Sequence, residues 1–552
     1  MKRTYFSLIF AGLFALFFSG TVSAQKNIID KGEDVIKMAS ANQMFLRGDV
    51  NRALNLYKEV LSGNPNGSEV NFRVGECYFA LGLIEDAKEH FEKAKKSNAK
   101  AHSEIDYYLG RVYHMTDELD KAIEYYSAFK KDNEGKSKDY GVDRMIANCE
   151  YAKVAMQKPV PVKITNTGDL INSTYDDKGP YITADGKTLV FTTRRPAPKG
   201  KSKVDKEGDF KYFEDIYMSK WDDAKNMWTE AEIIKGSVNS DGHDAVVSIS
   251  PDGKQIFIYR NNESDAVGGE IFVSKVQQSG KWGAPKKLPK PISSTYVENG
   301  ACISPDGNTL YFVSERPKQG EQKGYGHGDI WMSTKINKTD WGPPVNLGPE
   351  INTPEDEGGI FLHPDGKTLF FTSRGHEGLG NYDIYMTRME NGKWSKPVNL
   401  GYPINTTRND MSFVLTTDNN TAYFASDRPG GMGERDIYTV DMSNYDIMGT
   451  KKEKEKGIEI SILRGRVIIT ESGKGTEAKV TITDKETGQK VGETNSADDG
   501  DYFFTLKGNK TYIITVEKED YPTVTEEFKL PVDPKVTFTM HKNVLLSKQK
   551  KK

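Results

Sequence analysis

Asp177, Asp244, Glu298, Glu357 and Asp410 each lie eight residues before a second position rich in acids, Asp185, Asp252, Asp306, Asp365 and Asp418, in five successive stretches of the chain. Carboxylates gathered at one place can hold a hard cation through oxygen ligands. Two of them at the right separation can act as acid and base in glycoside hydrolysis. Each stretch also carries an arginine further on (Arg194 and Arg195, Arg260, Arg316, Arg374, Arg428), so the acids have a second reading as ion pairs between neighbouring repeats. Catalysis needs groups in unequal roles, whereas a repeat gives every unit the same residue. The ring of acids is therefore read first as structural, then as a cation or ligand site at a channel mouth, and last as catalytic. The sequence contains no Gly-x-Ser-x-Gly elbow, no His-Glu-x-x-His, no Cys-x-x-Cys and no phosphate-binding Gly-x-x-x-x-Gly-Lys-Ser/Thr, the patterns that mark activated nucleophiles, zinc sites and nucleotide loops. No catalytic residue, metal ligand or cofactor is expected.

The elements that position these acids repeat with them. Each unit has a tight turn, Ala184-Asp185-Gly186, Pro251-Asp252-Gly253, Pro305-Asp306-Gly307, Pro364-Asp365-Gly366 or the degraded Thr417-Asp418-Asn419. An apolar run follows, ending at Phe191, Ile258, Phe312, Phe371 and Phe424, then Asp/Glu-Ile-aromatic at 215–217, 270–272, 329–331, 383–385 and 436–438. Short β-rich runs between Gly/Asp/Pro turns, recurring about every 50 to 65 residues, predict the four-stranded blades of a β-propeller. Asn239, Ser293, Asn352 and Asn405 end four outer strands, each five residues before the next acid, and Asn172 stands in the same register before Asp177. The segment 162–172 is thus expected to supply the outer strand of the last blade, closing five blades and covering an otherwise exposed edge. The Pro-Asp-Gly turn, the Ser-x-Arg of 314–316 and 426–428 and the Asp-Ile-Tyr strand resemble the TolB-type propeller repeat.

Upstream, the period becomes helical. Ala41, Gly75 and Gly110, then Ala53, Ala87 and Ala122, then Tyr57, Phe91 and Tyr126 recur at spacings of 34 and 35 residues, a pattern similar to the tetratricopeptide repeat. Three repeats and a closing helix over about 137–155 are expected. The resemblance implies a concave groove, which Phe72, Glu76, Tyr107 and Arg111 should face. Downstream, a charged run near 450–457 marks a boundary, and strands around 465–469, 478–482, 501–506 and 512–516 predict a small β-sandwich. Ala497-Asp498-Asp499-Gly500-Asp501-Tyr502-Phe503 and Glu519-Asp520-Tyr521-Pro522 look like the carboxypeptidase regulatory-like, transthyretin-like module.

Length and charge agree with several soluble modules: 552 residues exceed one core, and a net charge of −3 with 28% charged residues shows no bias toward nucleic acid. Residues 1–24 have the basic start, apolar run and Val22-Ser23-Ala24 site of a secretory signal, with no transmembrane segment expected after cleavage. Cys77, Cys149 and Cys302 read as buried apolar residues. The fold class is therefore multidomain: signal peptide 1–24, helical repeats 30–157, five-bladed propeller 159–445, charged linker 446–459, β-sandwich 460–541 and basic tail 542–552. This order resembles the PorE-type envelope proteins of Bacteroidetes. The resemblance implies a non-enzymatic periplasmic scaffold, associated with the outer membrane and type IX secretion, with envelope proteins as partners. The alternative is a carbohydrate- or peptide-binding propeller, at the cell surface or secreted. The family's peptidoglycan-binding OmpA-like domain has no counterpart after the sandwich, so peptidoglycan binding is not expected. The long inter-strand loops, with Lys201 and Lys203 in the first unit and Tyr325 and His327 in the third, are candidates for partner contact.

Overall fold

Glycines at one helical spacing decide how closely the N-terminal helices pack. The computed structural model describes residues 32–100, 102–197, 203–206, 208–261, 268–319, 322–337, 339–449, 459–533 and 536–548; the proposed signal segment and Lys201 lie outside them. The chain forms two compact units, Met1–Ile146 with Val204–Lys211, and Ala147–Lys203 with Tyr212–Lys552.

The first unit is helical: α1 (32–46), α2 (Val50–Gly63), α3 (Ser68–Ala80), α4 (Ile84–Ser97), α5 (Ile105–Met115), α6 (Leu119–Asp132), α7 (Glu134–Asp139) and the start of α8 (Val142–Ala155). Successive helices from α2 to α6 pack on one another. A Cβ added at Gly75 in α3 would lie 2.7 Å from the Phe91 ring of α4, and one at Gly110 in α5 would lie 2.4 Å from the Tyr126 ring of α6. Only hydrogen at these positions lets each aromatic ring seat against its partner's backbone. The single closing helix expected over 137–155 is instead two, because Gly141 takes φ 63° between α7 and α8.

The second unit is β-rich and contains five antiparallel sheets built on one plan. Their inner, second and third strands are Asp177–Ile182, Thr188–Thr193 and Asp215–Asp222 in the first sheet, and His243–Ile249, Gln255–Asn261 and Glu270–Lys275 in the second. Glu298–Ile303, Thr309–Ser314 and Asp329–Thr334 form the third, Glu357–Leu362, Thr368–Ser373 and Asp383–Glu390 the fourth, and Asp410–Leu415, Thr421–Ser426 and Asp436–Asp441 the fifth. Short outer strands complete the first four. In the fifth the outer strand is Lys163–Asn166, which pairs antiparallel with Tyr438–Asp441. The inner strand of each sheet packs against that of the next in cyclic order, the fifth against the first. Thr188–Thr193 and Thr368–Ser373 are buried along their whole length, which explains their continuous apolar and Thr/Ser character.

Two further sheets share a core that includes Leu463, Val480, Phe504, Ile514 and Val544. One holds Ile460–Ile469, Asp501–Lys507 and Lys474–Gly475, with Thr539–His541 and Val544–Leu546 running parallel to Ile460–Ile469; the other orders Lys490–Asn495, Lys479–Asp484, Lys510–Glu517 and Val524–Leu530. This revises both edges read from composition. The tail placed at 542–552 begins with a strand whose Val544 and Leu546 are buried, and the linker placed at 446–459 begins with Met448 buried in the core of the five-sheet region. In both places an apolar residue within a charged stretch decides.

A chain starting at Thr174 lacks the strand Lys163–Asn166 and the Asn172 side chain; it is expected to melt less cooperatively and at lower temperature than one starting at Gln157, as followed by calorimetry. Gly110→Ala is expected to destabilise the helical unit by about 1–3 kcal/mol, read as an earlier loss of the helical circular dichroism signal.

Candidate functional site

The five repeated acids are buried, four of them with no more than 1% exposure and Glu357 with 2%. None lines an open channel mouth, which corrects that expectation. Each instead grips the turn that ends the preceding outer segment. Asp177 accepts from the Ser173 amide and hydroxyl at 2.6 and 2.7 Å, Glu357 from those of Thr353 at 2.8 and 2.7 Å, and Asp410 from those of Thr406 at 2.7 Å each. Ser240 and Ser294 hold Asp244 and Glu298 in the same way. The Asn one residue before this Ser or Thr completes the joint: in Asn172, Asn239, Asn352 and Asn405, the amide accepts from and donates to the backbone of the Ile in Asp-Ile-aromatic. A side-chain amide here replaces a strand, satisfying both backbone groups of a buried residue.

The arginines pair inside their own sheets rather than between sheets, a second correction. Arg195 meets Asp177 at 2.7 Å, Arg260 meets Asp244 at 2.6 Å, Arg316 meets Glu298 at 3.0 Å and Arg428 meets Asp410 at 2.7 Å. The pairing is local because the two strands form one hairpin, placing the acid near the start of one beside an arginine that lies near the end of the other or just past it. Each guanidinium also donates to a buried carbonyl, of Ile171, Val238, Ile292 or Ile404, and lies over an aromatic ring of its own sheet.

The fourth sheet breaks the pattern. Gly375 stands where the register requires arginine, and a Cβ there would lie 1.9 Å from the Thr353 hydroxyl. Arg374 turns aside to Glu355 and Asp356, each at 2.9 Å. His376 takes the carbonyl role, its Nε2 donating to Ile351 at 2.8 Å, with its ring 5.2 Å from that of Tyr385; burial lowers its pKa. Glu357 therefore has hydroxyl and amide donors, including Ser373 at 2.7 Å, but no arginine partner, and burial pushes its carboxyl up to about 7. Asp383, which accepts from the Leu379 and Gly380 amides at 3.2 and 3.0 Å, is pushed up to about 8 by burial, opposed by those amides and reinforced by the charge of Asp410.

Carboxyls this enclosed touch no substrate, so the ring offers no pair for glycoside chemistry. Among the described residues no group of three or more His, Cys, Asp or Glu is arranged to hold a metal. No helix there is long and apolar enough to cross a membrane. The turn acids close their own hairpins: Asp185 accepts from the Lys187 amide at 3.0 Å and Asp306 from that of Asn308 at 3.0 Å. Cys77, Cys149 and Cys302 are buried free thiols, each pushed up to about 12 by burial.

The surface candidates separate. Phe72 is fully buried, its ring 3.8 Å from that of His102, and Glu76 is largely buried with Arg73 at 2.8 Å. Both are packing residues of α3, because its face is enclosed by the next repeat; neither presents a side chain to a groove. Tyr107 and Arg111 are half-buried on α5, one turn apart, with Arg111 donating to the Tyr107 hydroxyl at 3.0 Å and lying over the Phe79 ring at 5.1 Å. Lys203 pairs with Asp241 at 2.8 Å across exposed surface. Tyr325 and His327 are exposed in the third sheet's long loop, the Tyr325 amide donating to Asp329 at 2.7 Å.

Residues 44–105 and 82–136 match the tetratricopeptide repeat family. The N-terminal region is built of tetratricopeptide repeats. Solved structures similar to it include the Sgt2 tetratricopeptide domain from Aspergillus fumigatus, 21% identical, covering 23% of this chain and 82% of that one with a TM-score of 0.21. Another is the Yersinia enterocolitica type III secretion chaperone SycD in complex with a peptide of the translocator YopD, 15% identical, covering 21% and 92% with a TM-score of 0.20. No curated protein matches the chain.

Removing the carboxylate charge should separate the sheets. Glu298→Gln leaves Arg316 buried without its counter-ion and is expected to cost about 3–5 kcal/mol. Glu357→Gln, facing hydroxyls that can turn to accept, is expected to change stability by less than about 1 kcal/mol at pH 7. Denaturant unfolding at pH 7 measures both. Asp383 keeps its proton in the folded state to about pH 8 and loses it near 4 when unfolded, so the folded state binds the extra proton and stability falls as pH rises between those values. Asp383→Asn is expected to flatten the melting-temperature profile between about pH 4 and 8.

Proposed function

We propose that the protein is a non-enzymatic scaffold of a bacterial cell envelope, holding partner proteins together through its tetratricopeptide region and its β-rich modules. The observation that carries the reading is the half-buried Tyr107, Arg111 and Phe79 surface on that region, set against repeated acids already consumed by internal bonds. Tetratricopeptide domains generally mediate protein–protein interaction, and their stacked helices form extended concave surfaces. An aromatic and arginine pair at a surface is the composition that anchors interfaces.

The remaining modules take their proposed names from the same argument. Five sheets on one plan, inner strands adjacent in cyclic order and a last sheet completed by Lys163–Asn166 support a five-bladed propeller of TolB type. The two sheets after Glu459 with a common core support a carboxypeptidase regulatory-like sandwich. Together they support a PorE-like protein serving secretion or outer-membrane assembly, with residues 1–24 directing export.

Crosslinking in intact cells followed by mass spectrometry tests the scaffold reading. Crosslinks from residues 30–157 to envelope proteins are expected, reduced about tenfold in Tyr107→Ala/Arg111→Ala, since loss of an anchoring aromatic and arginine removes most of an interface's energy. Recovery of the wild-type protein only as an uncrosslinked monomer would overturn it. A mature N-terminus at Gln25 is expected from sequencing of the exported protein.

A further inference from the structure

Within the β-rich unit, the turns of the second and third sheets face the C-terminal sheets across a cleft of about 660 Å³. Its walls are joined directly: Asn308 donates to the Glu493 carbonyl at 3.3 Å, and the Thr494 hydroxyl to the Asp306 carbonyl at 3.4 Å. Lys254 pairs with Asp501 across it. Lys275, Lys335 and Lys254 line one side, Arg464 and Arg466 the other. Four acids line it as well, Asp252, Asp306, Glu477 and Asp501. Asp252 and Asp306 hold their own turns, and Asp501 serves Lys254 and Arg466.

Among the described residues, no carboxylate lies within ion-pair distance of Lys275, Lys335 or Arg464, which line this preformed space. Lys335 lies over the Trp341 ring at 5.3 Å. Burial lowers its pKa and the neighbouring charge of Lys275 lowers it further, against the charge of Asp306; burial lowers that of Lys254, opposed by Asp252 and Asp499 and aided by Arg464 and Arg466. Cations held together against desolvation and mutual repulsion gain most from an anion placed among them. The volume is that of a small-molecule site, and Asn337, Asn543 and Ser496 supply neutral polar groups around it.

We propose that this cleft binds a small multivalent anion, bearing phosphate or carboxylate groups, between Lys275, Lys335 and Arg464. The site is independent of the tetratricopeptide surface and joins the repeat sheets to the terminal module through a ligand. Its location explains its absence from sequence patterns, since its two walls lie more than a hundred residues apart in the chain.

Calorimetric titration of the full chain with inorganic triphosphate and, separately, citrate, at matched ionic strength, tests the site. Binding of one molecule per chain is expected for at least one of them; triphosphate alone identifies a phosphate site, citrate alone a carboxylate site, and both a site selecting charge. Lys335→Met, which keeps the stem against Trp341, and Arg464→Met are each expected to weaken binding about tenfold while leaving the melting temperature of the unliganded chain unchanged or higher, because each relieves repulsion. Binding of neither probe, or binding that both variants retain at wild-type affinity, would overturn the proposal.

Discussion

A buried carboxylate at the head of each inner strand is the interaction on which the β-rich unit depends. It is costly to bury alone, so every neighbouring feature serves it. The Ser or Thr four residues earlier turns its amide and hydroxyl inward, the hairpin brings an arginine alongside in four sheets, and the arginine in turn ties a carbonyl and covers an aromatic ring. The joint between one sheet and the next is thus a polar network whose members are satisfied together, an arrangement that specifies one register and penalises slippage.

The fourth sheet shows what the network tolerates. With Gly375 and His376 in place of arginine, the carbonyl bond to Ile351 and the aromatic packing survive while the cation is lost. The acid accommodates this by holding its proton more tightly. The function of the joint is therefore geometric before it is ionic: donors aimed at a fixed acceptor matter in every sheet, and formal charge matters in four.

The repeat periods made the strands, the hairpin turns and the helix pairs legible in the sequence, because each follows from local spacing. Gly75 and Gly110 could be read as small residues required by close helix approach, and Phe91 and Tyr126 as the rings that fill the space. Direction was harder. Phe72 and Glu76 share the spacing of Tyr107 and Arg111, yet only the second pair keeps exposed surface, because enclosure by the following repeat is a tertiary property. The arginines were legible as partners of the acids, but whether the pair lay within a sheet or across two depended on hairpin register. His376 carried a signal, the gap in the Ser-x-Arg series at 373–375, that only the packed structure explains. Nothing local linked Lys335 to Arg464.

Closure of the fifth sheet by Lys163–Asn166 has a temporal consequence. Asn166 bonds to Asp436, separated from it by 270 positions, so the strand that leads the five repeated sheets in the chain finds its neighbour only when the last of them exists. Such distant pairing is slow to form, and until it does the fifth sheet presents a bare edge to other chains. During synthesis the five sheets remain incomplete while their leading strand waits, which sets a minimum interval in which a chaperone or a neighbouring copy can compete for the same edge.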